Sequence, residues 1–482
     1  MVEELPIAVV GAGPVGLAAA AHLVERGLTP LVLERGPAAG HAVRAWGHVR
    51  VFSPWTYNID AAARRLLGTT DWTAPDDDAI PTGGEIVDRY LEPLAAHPAL
   101  APRIRYGAEV TAIARDGLDK LTTAGRDAAP LRVRWRDAEG TEHAARVRAV
   151  IDASGTWFAP NPMGADGLPV PGERAAADRI AYGIPDVRGA ARNDYAGARV
   201  LVVGSGHSAI NVVLDLLALQ QEAPETRVLW ALRRDGVATL AGGGLNDALP
   251  ARGALGLAAR RAIDEGRLDL LTGFAAERVE REGAGLRVHA RSRGTPGDVS
   301  VDRIVVATGF RPDLGFLREL RIALDPVVEA PPALAPLIDP NLHSCGTVRP
   351  HGVVELSHPE PGVYIVGMKS YGRAPTFLMA TGYEQVRSIA AELAGDREAA
   401  RAVHLVLPET GVCSTAALSG TEEAPAAAGC CGGPAPAGVD ACCVRDADAK
   451  AAGEAGCGCG DPAPAAVPAP AKTATGCCAG AA

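Results

Sequence analysis

The sequence predicts an α/β protein with two Rossmann-like dinucleotide-binding domains and a disordered, cysteine-rich C-terminal tail. Three observations carry that expectation. A glycine fingerprint lies between an apolar run and a helical pattern near the N-terminus, a second of similar form follows about 190 residues later, and the last 72 residues change composition abruptly. The chain has 482 residues, enough for two or three domains at roughly 150 residues each.

In chain order, Ile7–Val10 reads as a buried strand, Pro14–Glu25 as a helix and Leu31–Leu33 as the next strand. The turn between the first two is Val9-Val10-Gly11-Ala12-Gly13-Pro14-Val15-Gly16, a GxGxxG pattern. Gly11 permits the tight turn, Gly13 lets a pyrophosphate approach the backbone, and Gly16 brings helix and strand together; Pro14 opens the helix. Glu34 ends the second strand 18 residues beyond Gly16, placed to accept from a ribose 2′-hydroxyl, with Arg35 beside it. The order recurs at Val200–Val203, Ser208–Leu219 and Arg227–Leu232 around Gly204-Ser205-Gly206-His207-Ser208-Ala209. No acid ends that following strand; Arg233 and Arg234 do, and an arginine pair suits a 2′-phosphate, which favours NADPH over NADH. A solvated strand end also accounts for the two arginines, and exposure accounts for His207 better than catalysis does.

The change of composition sets the tail at 411–482. The tail has no Ile, Phe, Met, Trp or Tyr, one Leu, and seven acidic against three basic residues, too little apolar surface to offset chain entropy. The net charge of −10 argues against a broad nucleic-acid surface, and no apolar stretch approaches a membrane span. Glu3 and Glu4 are the wrong flank for a secretory signal, so a cytoplasmic location is expected.

Of ten cysteines only Cys345 precedes residue 413, and no CxxC occurs. Cys345 reads as a small buried residue. The tail carries Cys430-Cys431, Cys442-Cys443, Cys457-Gly458-Cys459 and Cys477-Cys478. Vicinal thiolates are soft ligands suited to Zn, Cu(I), As(III) or Hg(II), although the spacing is not that of a structural zinc site. A low-complexity extension without essential function is the alternative reading of the tail.

Residues 1 to about 395 resemble the flavin-binding monooxygenase-like branch of FAD/NAD(P)H oxidoreductases. The likeness rests on both fingerprints, on Ala153-Ser154-Gly155-Thr156-Trp157-Phe158-Ala159-Pro160-Asn161-Pro162 with the later Pro169-Val170-Pro171-Gly172, and on Val306-Ala307-Thr308-Gly309 and Gly362-Val363-Tyr364-Ile365-Val366-Gly367. The resemblance implies FAD at the first fingerprint, with Gly309 and Gly367 closing its domain, so that 1–158 and 304–410 form the two parts of a first dinucleotide domain and 159–303 the second. It also implies a helix from about Thr376 pointing at the isoalloxazine and Val110 holding the adenine, although a plain core position serves Val110 as well. The segment His48-Val49-Arg50-Val51-Phe52-Ser53-Pro54-Trp55 resembles the flavin-facing strand, which makes Arg50, Ser53 and Trp55 candidate catalytic residues, core or rim being the alternative. Pro54 stands where such monooxygenases often have asparagine, and Ala181-Tyr182-Gly183-Ile184-Pro185-Asp186 lacks the FxGxxxH histidine. Body, Leu407-Pro408-Glu409-Thr410-Gly411-Val412-Cys413-Ser414 and tail together are similar to a bacterial subgroup associated with arsenic-resistance gene sets.

The expected activity is an NADPH-oxidising flavoenzyme, monooxygenase-like, taking O₂ and a small-molecule substrate such as an arsenical. The alternatives are a flavin-dependent reductase of a thiol-bound metal or metalloid delivered by the tail, and a non-enzymatic binder of thiophilic ions. The oligomeric state is left open.

Overall fold

The computed structural model describes residues 5–236, 250–340, 348–374 and 377–405. Cys345, Leu407–Ser414 and every tail cysteine named above lie outside the described residues.

The first strand, β1 (Ile7–Val10), turns into α1 (Pro14–Glu25) and returns as β2 (Pro30–Leu33), followed by the short β3 (Ile104–Arg105). An antiparallel excursion, β4 (Glu109–Arg115), β5 (Leu131–Arg136) and β6 (Glu142–Val147), leads into β7 (Ala149–Asp152). The chain then crosses through β8 (Ile180–Tyr182) to β9 (Arg199–Val203), α2 (His207–Glu222), β10 (Arg227–Leu232) and β11 (Asp269–Thr272). A second antiparallel triplet, β12 (Phe274–Glu282), β13 (Gly285–Ser292) and β14 (Thr295–Val301), precedes β15 (Arg303–Val306). β16 (Val363–Ile365) and α3 (Met379–Leu393) follow, with a short helix over Arg397–Arg401 after them.

Two five-stranded sheets result, in the orders β16-β7-β1-β2-β3 and β11-β10-β9-β15-β8. Every pairing within them is parallel. Strand alternation then assigns each side chain to one of two cores. Ile7 and Val9 pack toward α1 and α3, whereas Ala8 and Val10 pack with Ile113, Leu131 and Val133 of the first antiparallel triplet. The second sheet repeats the scheme, with Val200 and Val202 against α2 and Leu201 and Val203 against Val279, Leu286 and Val288 of the second triplet. Burial on both faces explains why these strands read as uninterrupted apolar runs.

One expected boundary is corrected. Val306 pairs with Val203 and Tyr182, so the strand leading to Gly309 belongs to the second sheet and not to the second part of the first domain. The return crossing therefore begins after 306 rather than at 303/304. Asn161 and residues 308–311 stitch it to the outgoing crossing: the Asn161 amide N–H donates to the Gly309 carbonyl (2.9 Å), and the Arg311 N–H donates to the Ala159 carbonyl (2.8 Å). The helix expected from about Thr376 starts at Met379.

Candidate functional site

Parallel pairing puts the carboxyl ends of β1, β7 and β16 on one edge, with Val10, Asp152 and Ile365 in register. The chain leaves β1 toward β2 on one side, while β7 lies on the other, so the strand order reverses here. Such a switch point opens a crevice. A cavity of about 360 Å³ occupies it, lined by Gly11, Gly13 and Pro14 from the first fingerprint, by Glu34 and Arg35 after β2, by Val110, by Ser154 and Gly155 after β7, and by Gly367 after β16. Its far walls are largely apolar and aromatic, including Trp46, Trp157, Phe158, Phe310, Phe316, Phe377 and Met379.

The fingerprint glycines divide into two kinds. Gly11 has φ +99°, and a Cβ there would stand 2.8 Å from the Ala153 carbonyl oxygen; Gly204 repeats this in the second sheet with φ +137° against the Ala307 carbonyl. These residues let the turn form. Gly13 and Gly206, each the N-cap of its helix without a side-chain cap, face space in which a Cβ would meet nothing within 4 Å. A helix N-terminus with uncapped amides under open space fits a pyrophosphate. Gly16 is a packing position, since its Cβ would collide with the Gly11 carbonyl oxygen.

Glu34 is buried, and its carboxylate accepts from the amides of Ala12 and Gly36, both at 2.7 Å. Each oxygen keeps a further lone pair for a ligand hydroxyl. Arg35 pairs with Glu109 at 3.0 Å and lies over the Phe158 ring, 4.2 Å from its centroid; His41 stacks on that ring at 5.9 Å. The mouth of the cavity beside Glu34 is thus a cation–aromatic stack. These features, an open glycine, an oriented carboxylate and an aromatic-walled cavity, fit a flavin dinucleotide.

At the β16 end, Gly367 is held from behind by α3. The Gln385 side-chain oxygen accepts from the Gly367 amide (2.7 Å), and the Gln385 NH₂ contacts Ser370 and His351, each at 2.9 Å. His351 Nδ1 faces the Arg349 carbonyl, which only accepts, so Nδ1 carries the proton and Nε2 receives the Gln385 donor. Burial lowers the His351 pKa, consistent with this neutral form.

At the second fingerprint, His207 opens α2 and is exposed, its ring 5.0 Å from that of Phe52, with Ser208 beside it. Arg233 and Arg234 follow β10 and are exposed, and Arg233 donates to the Ala165 carbonyl at 3.2 Å.

The catalytic candidates do not converge on the cavity. Ser53 is buried and donates to the Asn58 side-chain oxygen at 2.9 Å; Trp55 is core, with Arg89 over its ring; Arg50 is exposed and donates to the Ile80 carbonyl. Their hydrogen bonds hold a loop, and none of the three lines the cavity. Gly309 is not among the lining residues either and sits in the return crossing. Val110 does line the cavity and is half-buried. Sequence reasoning missed a buried ion pair behind the wall: Lys369 Nζ stands 2.7 Å from Asp152 Oδ2, with both side chains inaccessible. The signal was available as a lone acid ending an apolar strand and a lone lysine just after another.

Residues 8–127 match the family model for pyridine nucleotide-disulphide oxidoreductases. The chain is similar to the ferredoxin–NADP reductase of Thermus thermophilus, 25% identical over 358 residues, which span 72% of this chain and 85% of that protein. It is 30% identical to the indole-3-pyruvate monooxygenase YUCCA6 of Arabidopsis thaliana over 211 residues, 43% of this chain and 44% of that protein. Among solved structures it resembles the bacillithiol disulfide reductase of Bacillus cereus, with a TM-score of 0.59 at 18% identity, covering 82% of this chain and 99% of that one. These likenesses give the chain the two-Rossmann-domain fold of the flavin- and pyridine-nucleotide-dependent oxidoreductases, an enzyme architecture shared by reductases and monooxygenases.

Proposed function

We propose that this protein is an FAD-dependent, NADPH-oxidising oxidoreductase of the monooxygenase type, acting with O₂ on a small molecule. The observation that carries the reading is the cavity that runs from the open Gly13, past Ser154 and Gly155, to Gly367 and Met379, with aromatic walls. Bound FAD supplies the centre that accepts a hydride and passes electrons onward. Gly11, Gly13 and Glu34 bind and orient the dinucleotide, the Gln385–Gly367 bond fixes the turn beyond it, and the aromatic walls exclude water. Gly204, Gly206, Ser208 and the arginines after β10 take the NADPH. Residues 1–410 contain a single cysteine, Cys345, and the sequence has no CxxC, so the body offers no dithiol through which electrons would pass to a disulfide. That favours the oxygen-using reading over a disulfide reductase.

The test is anaerobic reduction of the purified flavoprotein by NADPH, followed by oxygen and candidate substrates with isotope tracing. Label from O₂ in the product supports the proposal, and NADPH oxidation without O₂ uptake under every substrate refutes it. An arsenical is the substrate suggested by the resemblance of residues 407–414 and the paired tail cysteines. Those pairs favour a second reading, reduction of a thiol-bound metalloid carried by the tail. Truncation after Glu409 separates the two: turnover of a thiol-free substrate is unchanged under the first reading, and metalloid turnover is selectively lost under the second.

A further inference from the structure

Lys369, Asp152 and Ser154 form a buried polar cluster where the ends of β7 and β16 meet, in which Asp152 Oδ2 meets Lys369 as an ion-pair contact and makes no hydrogen bond. Lys369 Nζ lies 2.7 Å from Asp152 Oδ2 and donates to Ser154 Oγ at 3.0 Å. It also stands 4.4 Å from the centroid of Phe316, whose ring forms part of the cavity wall. Asp152 Oδ1 accepts both the Ser154 hydroxyl (2.6 Å) and the Ser154 amide (3.1 Å). Lysine and aspartate are almost never this completely buried unless paired, and here both side chains have no exposure at all. Ser154 is the half-buried member and the only one of the three that lines the cavity.

The cluster fixes the polarity of that hydroxyl. An ammonium can only donate, so Ser154 Oγ must accept from Lys369; a carboxylate can only accept, so the Ser154 proton must point at Asp152. One lone pair remains on Ser154 Oγ, and its proton is already used. A serine in open solvent would rotate to suit either a donor or an acceptor, and this one cannot.

We infer that Ser154 Oγ is a dedicated acceptor for a sugar hydroxyl of the bound dinucleotide, either on the ribityl chain or on the ribose, and that Lys369 is the positioning residue that holds it so. The same lone pair repels a phosphate oxygen, which leaves the pyrophosphate to Gly13 and the α1 amides. This rests on the proposed use of FAD at the first fingerprint. It goes further by stating which ligand group meets the end of β7 and why a buried charge pair stands there.

The test is a cycle of variants read by FAD dissociation constants from flavin fluorescence, with thermal melts alongside. Lys369→Met/Asp152→Asn replaces the ion pair with neutral side chains of similar size, an exchange that buried pairs often tolerate. Ser154→Ala weakens FAD binding about 10-fold, the worth of one oriented hydrogen bond. Lys369→Met/Asp152→Asn weakens it to a similar extent while the protein still melts cooperatively. Added to Ser154→Ala, it brings no further loss, because both changes remove the same interaction. FAD analogues lacking a ribose hydroxyl or a ribityl hydroxyl distinguish the sources, since the analogue without the donor is insensitive to Ser154→Ala. Wild-type affinity in Ser154→Ala, additive losses in the triple variant, or equal sensitivity of every analogue overturns the inference. Failure of the wild-type protein to take up FAD at all overturns the parent reading instead.

Discussion

Gly13→Ala separates folding from cofactor binding at a single methyl. Gly13 has φ −79° and ψ −173°, a conformation open to any residue, and its added Cβ meets nothing within 4 Å. The fold therefore feels only the change of N-cap residue, about 1 kcal/mol or less, a shift of a few degrees in melting temperature for domains of this size. The same methyl intrudes where a pyrophosphate would approach the α1 amides. Losing one charge-assisted hydrogen bond there is worth about 1.5–3 kcal/mol, or roughly 10- to 150-fold in the FAD dissociation constant. Gly11→Ala is the contrast, with φ +99° and a Cβ 2.8 Å from the Ala153 carbonyl oxygen. It costs about 1–3 kcal/mol in backbone strain alone, so its first effect is on the fold. Melts of the apo-proteins and fluorescence titrations with FAD measure the two quantities separately. If Gly13→Ala binds FAD as tightly as the wild type, or loses as much stability as Gly11→Ala, the assignment of the pyrophosphate to this turn is wrong.

Further predictions concern selectivity and stability. Arg233→Ala with Arg234→Ala raises the KM for NADPH about 10-fold or more and leaves that for NADH and the FAD content unchanged, the loss expected for a charged hydrogen-bonding group; an unchanged NADPH/NADH ratio in steady-state assays removes the 2′-phosphate assignment. Glu360 is fully buried between Arg115 and Arg126, each at 2.7 Å. Glu360→Ala leaves two buried guanidinium groups without their counter-charge and destabilises the protein by about 3–5 kcal/mol in urea melts. Burial alone would raise the Glu360 pKa, but Arg126, the Arg321 amide and Arg115 together hold it below the ordinary range. Its contribution is therefore present above about pH 4.3, the unfolded value, and is lost as pH falls through the lower folded value. His358 behaves in the opposite chemical sense: burial brings its pKa down to about 4. Between about pH 6.5 and that value the unfolded chain binds the extra proton, so stability falls on acidification. His358→Leu flattens this part of the stability–pH curve; an unaltered slope shows that another group is responsible.

What was legible in the sequence was whatever local chemistry dictates. β1, α1 and β2 fall where apolar runs and the turn Gly11-Ala12-Gly13 put them, because the left-handed φ of Gly11 and the helix start at Pro14 need no distant partner. The parallel strands were legible for a related reason, since burial on both faces leaves no polar alternation to confuse the reading. Sheet membership was not. Ile151-Asp152-Ala153-Ser154-Gly155 and Val305-Val306-Ala307-Thr308-Gly309 share one local form, an apolar strand ending in a small-residue turn. Only the pairing of Val306 with Val203, rather than with the first sheet, distinguishes them, and that register is decided between residues about 100 apart in sequence. The direction of side chains was hidden as well. The segment from Arg50 to Trp55 reads as a strand but forms a loop, and Ser53 turns inward to Asn58, a choice set by a hydrogen bond within that loop.

The buried pair shows how a long-range feature can leave a local trace. A charge inside an apolar segment requires a counter-charge, because an ion left alone in the interior carries a desolvation penalty of several kcal/mol. Asp152 closes the strand Ala149–Asp152, and Lys369 stands four residues beyond the end of Val363–Ile365. Two such anomalies at the ends of strands from the same domain compel each other: each strand can be buried only if the other supplies the opposite sign. The argument predicts adjacency of those strands, and β16 pairs with β7 at Ile365 and Asp152. Matching unexplained charges at the ends of apolar strands therefore constrains strand order where hydrophobic periodicity alone does not.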